Sequence, residues 1–317
     1  LYVGWGTQKK YCIKANFVDS SHAINICSAR LWAQMVEDRN ENHAVEDAPN
    51  CGAVDGFPIM IVLNGKFFGL YTFNIPKDAW TYGMGNETTE YVVTAEAETQ
   101  PTYFKADAEL DGSDFKLEYA DDNVSLSTIK TSLNNAINSV LNTSGEGWET
   151  TVNQYVDVNS AMDYMILISL LADDDGIGHN YILTTYDGVK WWFNAYDLDA
   201  TFGNHWTGSS YLSVNHERTT LLGIARTMLI MHRIYNLSKS DLIARYKYLR
   251  AGIMSEENVY ETLYNFAVRI PEEVRQADFS LYPTIPGTST ETLARIMDYY
   301  RMRCKAIDAE IASMENT

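Results

Sequence analysis

One stretch constrains this chain more than any other. Residues 158–172 are apolar nearly all round and run straight into Asp173-Asp174-Asp175-Gly176. A helix with no polar face has to be buried on several sides, so this stretch predicts a helix through the middle of a large core. Two short strands are expected next, at 181–185 and 191–196, joined by the turn Asp187-Gly188. The second strand closes on Asp197-Leu198-Asp199 and then Phe202-Gly203. The order buried helix, carboxylates, hairpin, carboxylates is the frame into which the rest must fit.

The chain is large enough for that core. It has 317 residues, 46% of them hydrophobic, which suits two domains or one domain with two lobes. Its 24 Lys and Arg stand against 42 Asp and Glu, a net charge of −18. Phosphate backbones are bound by clusters of Lys and Arg, so nucleic acid is excluded as the main partner. The same charge suits a basic protein partner or a cation held by carboxylates. No window approaches the ~18 apolar residues that span a bilayer. Four scattered cysteines, with no C-x-x-C pair, read as free or buried thiols rather than as a disulfide scaffold or a zinc site. The chain starts at Leu1 in what reads as a strand, and further sequence upstream is expected.

Elsewhere the pattern is mixed. Residues 11–17 read as a strand. Asp19 and Ser20 are placed to cap a helix reaching to about Val36. Asn64-Gly65 between apolar runs at 57–63 and 66–73 is a strong hairpin signal. Another strand is expected at 91–96. Residues 105–150 are polar, with a weakly amphipathic helix at 125–141. Helices are expected at 219–234, 240–254, 256–275 and 289–314, the last opened by capping-box spacing at Thr288 to Glu291. The sum is an α+β fold. Residues 1–104 form an N-terminal antiparallel sheet with a helix, 105–155 a polar connection or insertion, and 156–317 a mainly helical lobe holding the hairpin 180–203.

The chemistry concentrates at 173–203. Asp175 and Asn180 are five residues apart, and the hairpin returns Asp197 and Asp199 near Asn180. Alternation along a strand puts those two carboxylates on one face. Hard cations such as Mg²⁺ take one or two carboxylates, completed by phosphate oxygens and water. Protein kinases space a catalytic Asp, an Asn and, after a hairpin, a metal-binding Asp in this way. A phosphate site also wants a cation, and Lys14 at the end of the first strand can supply it. His179 reads as a packing residue, since no second His or Cys is spaced to join it as a ligand. Trp191, Trp192 and Phe193 read as core alternating with one exposed face, His205-Trp206 as lining or covering the cleft, and Arg30 as half of a surface ion pair.

The segments KKYCIKANFVDSSHAINICSARLW (9–32), IVLNGKFFGLYTFNIPKDAW (61–80), DGIGHNYIL (175–183), WWFNAYDLDATFG (191–203) and the tail at 234–266 resemble the spore-coat CotH family of atypical protein kinases. The resemblance runs over most of the chain. It implies a reduced, protein-kinase-like fold of two lobes and transfer of the ATP γ-phosphate to Ser or Thr of a surface or coat protein, with Mg²⁺ or Mn²⁺. By the same resemblance Lys14 holds ATP phosphates and Asp175 orients the substrate hydroxyl or accepts its proton. Asn180 and Asp197 hold metal, with Asp199 the other candidate. Family substrates are Ser-rich and basic, which fits the charge of this chain. The implied locations are a spore coat, a cell surface or a virion.

One position departs from the family pattern. After the G-x-Y of the hairpin, members usually carry Glu four residues beyond the Tyr; here Ile75 stands there, with Glu96 or Glu98 on the next strand as substitutes. The departure supports a second expectation, a catalytically degenerate structural or adhesion module. A third, a glycosidase using Asp175 and Asp197 as its carboxylate pair, has no use for Lys14 or the D-x-x-x-x-N spacing.

Overall fold

The structure is a computed structural model that describes residues 6–41, 43–85, 87–95, 104, 107–283 and 292–316. It is α+β with two antiparallel sheets, a layout compatible with the two lobes of a kinase. The first sheet has the order β1-β3-β2, from β1 (Cys12–Lys14), β2 (Gly56–Leu63) and β3 (Lys66–Asn74). The Asn64-Gly65 turn joins β2 to β3, and both of its residues have positive φ, as a tight two-residue hairpin requires. Lys14 lies opposite Thr72, and Cys12 opposite Asn74.

The second sheet has the order β5-β4-β6-β7. It combines β4 (Tyr91–Ala95) and β5 (Lys116–Tyr119) with the hairpin β6 (Tyr181–Thr185) and β7 (Trp192–Ala195). Every residue of β4 and β6 is buried, which explains why their sequences show no polar alternation. Strand β5 comes from the polar stretch expected to be a connection. The helix in that stretch, α2 (Leu126–Asn142), buries Ile129, Leu133, Ala136, Ile137 and Val140 along one stripe. The short α3 (Trp148–Val152) follows.

Helix α1 (Ile24–Arg39) is buried almost all round. It starts later than Asp19 and Ser20 would set it. Residues 19–22 turn first, and the Asp19 carboxylate reaches forward to accept from Ser21 N (2.8 Å) and Ile24 N (2.8 Å). Helix α4 (Val158–Leu171) is the expected central helix, with every residue but Asn159 buried. Asp157 caps its start by accepting from Ser160 N at 2.7 Å, and Ala172 in the left-handed region ends it. Fully burying a Leu or Ile contributes roughly 1.5–3 kcal/mol, so this helix is a main source of stability.

The C-terminal part is helical, with more breaks than the periodicity predicts. The span expected as one helix at 219–234 is two, α5 (Leu221–Thr227) and α6 (Leu229–Leu237), with Met228 extended between them. Helix α7 (Lys239–Ala251) follows. The span 256–275 divides into α8 (Glu256–Ala267) and α9 (Glu272–Leu281). Pro271 causes that division: it lacks an N–H and excludes helical geometry from the residue before it. Helix α10 (Leu293–Glu315) is capped by Thr292, whose hydroxyl accepts from Arg295 N. The capping box expected at Thr288 to Glu291 lies outside the described residues. No helix among the described residues is long and apolar enough to cross a membrane.

Candidate active site

Three segments far apart in sequence meet in one place. Lys14 at the end of β1 reaches across to the turn after β7. Its ammonium donates to Asp197 Oδ1 and stands 3.0 Å from Asp199 Oδ2. The alternation argument reached this pairing by a different route from the one the chain takes. Strand β7 stops at Ala195, and Asp197 takes a left-handed conformation (φ 53°) to start a 3₁₀ turn at Leu198–Ala200. A non-glycine residue in that region costs roughly 1–2 kcal/mol. The turn is held by α1: Asn25 Oδ1 accepts from Leu198 N at 3.0 Å, and the Ser28 and Thr201 hydroxyls are 3.1 Å apart.

The electrostatics of this corner are mutual. Burial works against the Lys14 ammonium, but Asp199 and Asp197 outweigh it and hold its pKa above the ordinary lysine range. Burial pushes Asp199 up to about 6, with Lys14 pulling down and Asp197 pushing further up.

The second half of the site is the loop that leaves α4. Asn180 donates to Asp175 Oδ2 at 2.8 Å. Asn180 is also in the left-handed region (φ 50°), and its N–H donates to Ala95 O at the end of β4. Burial raises the pKa of Asp175; His179 opposes the shift, and Asp197 adds to it. Burial also lowers the pKa of His179, against the pull of Asp175.

The triple aspartate is not a solvated helix end. Asp173 is completely buried, its Oδ1 accepting from Gly176 N at 3.0 Å while Oδ2 has no hydrogen-bond partner. Burial, reinforced by the charge of Asp175, raises its pKa well above the ordinary carboxylate value. A side chain at Gly176 would come within 2.6 Å of that carboxyl and 3.0 Å of the Tyr164 hydroxyl, so glycine is required there. Tyr164 donates to Gly176 O at 2.7 Å. Asp174 turns outward to Arg218 (2.7 Å) and His216 (3.1 Å). Arg218 also donates to the carbonyls of Asp174 (2.9 Å) and Ile177 (3.1 Å).

A wholly buried arginine braces this arrangement from behind. Arg303 of α10 donates to the carbonyls of Ser169, Val214 and Thr219, at 2.7–2.9 Å. It thereby ties the end of α4 to the segment that carries His216 and Arg218. The two halves of the site are also joined directly, since Phe202 N donates to Leu171 O at 2.6 Å.

Other residues fall as follows. Ile75 is buried just beyond β3, its N–H donating to Asp55 O. Arg30 is bound to Asp55 (2.8 Å) and to Gly56 O (3.0 Å). Lys14 therefore draws its carboxylates from the 197–199 turn. Glu96 and Glu98 lie outside the described residues. Trp191 and Phe193 are core, and Trp206 is exposed. Asn25, Ser28, Asp173, His216 and Arg218 were not picked out by sequence reasoning. Only the Asp run carried a signal, and its usual meaning is a solvated terminus.

Among the described residues no three His, Cys, Asp or Glu side chains form a group that could hold a metal. The donor set at Asp197 and Asp199 suits a cation of another kind, one whose shell is completed by phosphate oxygens and water. Two carboxylates facing one shared cation fit that role.

The α+β layout with two antiparallel sheets is compatible with the two lobes of a kinase. The family model described as CotH kinase protein matches residues 6–307. The chain belongs to that family. No curated protein matches the chain.

Proposed function

We propose that this protein is an atypical protein kinase that transfers the γ-phosphate of ATP to a Ser or Thr hydroxyl of a protein. One observation carries the reading: Lys14 meets Asp197 and Asp199 beside the Asp175–Asn180 pair, in a chain of the CotH kinase family. Phosphoryl transfer needs positioning and charge neutralisation more than covalent chemistry, and these residue types supply both.

Lys14 donates to the nucleotide phosphates. Asp175 accepts a hydrogen bond from the substrate hydroxyl and takes its proton as the oxygen bonds to phosphorus and the bridge to ADP breaks. The raised pKa of Asp175 suits a proton acceptor working near neutral pH. Asn180 holds Asp175 in place and offers a metal ligand, and Asp197 and Asp199 are the carboxylate ligands. A divalent cation, when bound, neutralises charge on the phosphate oxygens. The net charge of −18 favours a basic substrate, and a coat or surface protein rich in both Ser and basic residues meets that requirement.

The test is transfer of labelled phosphate from ATP, with Mg²⁺ or Mn²⁺, to Ser-rich basic peptides. Wild type should label them, and Asp175→Asn should label them about 10²–10⁴-fold more slowly with melting unchanged. Nucleotide binding without transfer to any peptide would overturn the catalytic reading in favour of a degenerate module.

A further inference from the structure

The feature that the proposed role of Lys14 does not absorb is where its ammonium already sits. A phosphate-binding lysine should face the nucleotide. Here it bridges Asp197 and Asp199, the two carboxylates assigned to the cation. Both carboxylates and the lysine are only partly exposed, between 19% and 34%, so solvent screens the three charges incompletely.

We propose that Lys14 is the resident cation of this site, so that a divalent ion enters only when nucleotide phosphates draw the ammonium away. The inference rests on the kinase reading above. Two carboxylates and one ammonium leave a net charge of −1, a poor attraction for a divalent ion, and an ammonium left in place would repel that ion. Phosphates change this, because they offer Lys14 a new anion and the metal further oxygen ligands. Metal and nucleotide then bind with positive coupling, and linkage makes the effect equal in both directions. Lys14 thus has a role in selecting metal–nucleotide over free metal, besides holding phosphate.

The experiment is Mn²⁺ binding, followed by electron paramagnetic resonance, with and without a non-hydrolysable imido analogue of ATP. Wild type should bind Mn²⁺ weakly alone and at least about 10-fold more tightly with the analogue. Lys14→Met should bind Mn²⁺ alone about 10-fold more tightly than wild type, with the analogue giving a smaller fold gain than it gives wild type. Lys14→Arg keeps the charge and should keep Mn²⁺ alone weak. Melting gives a second readout that does not depend on the variant being stable unaided. Lys14→Met leaves two carboxylates facing each other, so Mn²⁺ alone should raise its melting temperature more than that of wild type. If wild type binds Mn²⁺ with the analogue but Lys14→Met gains neither affinity nor stability from Mn²⁺ alone, this inference is overturned and the kinase reading stands. If wild type binds no Mn²⁺ even with the analogue, both are overturned.

Discussion

The two halves of the site are built on opposite principles. The loop at 173–180 is held by the fold. Its anchors are a buried carboxyl, a tyrosine hydroxyl and the Arg218 guanidinium, all bonded to its backbone. At the other half the backbone of the 197–199 turn rests on Asn25 and Ser28 of α1, but the side chains of Lys14, Asp197 and Asp199 hold one another by charge. In the proposed kinase reading, Asp175 is set before any ligand arrives, while the Lys14 corner exchanges its partners for phosphate and metal. A kinase, which must position a hydroxyl and also release ADP, would benefit from that division.

The largest effect should come from the helix that delivers the rigid half. Leu167 is fully buried in α4, and Leu167→Ala should cost about 2–5 kcal/mol, read by urea denaturation. A loss well under 1 kcal/mol would mean that α4 is not the central support described here. Arg218→Ala tests the clamp more finely. Arg218 is about one-third exposed (36%), so the stability loss should be modest, about 1–2 kcal/mol. Transfer rate should fall while nucleotide affinity stays the same. If nucleotide affinity falls and rate does not, the contrast between the two halves fails.

The smallest effect concerns pH and a region away from both halves. The His43 ring stacks on Trp192 with centroids 3.8 Å apart, and its Nε2 has no hydrogen-bond partner. Burial pushes its pKa down to about 4, below the usual value near 6.5. Between those values the unfolded chain binds the proton and the folded chain does not. Stability from this residue is therefore full above about pH 6.5 and lost as pH falls towards 4. His43→Gln should flatten that acid slope by on the order of 1 kcal/mol. An unchanged slope would show that His43 is not the group responsible.

What could be read from the sequence was what is encoded locally. The Asn-Gly hairpin, the apolar central helix and the 181–185 strand each carry their own signal within a few residues, and the structure has all three. The meeting of Lys14 with Asp197 and Asp199 was reachable only by analogy, because 183 residues separate the first pair. The support beneath that corner left no trace. Asn25 and Ser28 look like any polar residues in a helix, and nothing in the spacing of Arg218 points to the loop it clamps. The pairing of β4 with β6 joins Tyr91 to Thr185, a long-range contact that alternation within either strand does not specify. The break between α8 and α9 was legible and was overlooked, since Pro271 interrupts an otherwise helical pattern. The burial of Asp173 was missed for a different reason: the run of acids reads as solvated, and only the tertiary fold buries one of them.

The most direct test of the central claim is melting of wild type and Asp197→Ala with ATP, in the presence and absence of Mg²⁺. At about 100 times the dissociation constant, a ligand of the folded state stabilises it by about 2.7 kcal/mol. The account predicts a metal-dependent shift of that size in wild type and its loss in Asp197→Ala. No shift in wild type with any combination of ATP and metal would contradict it.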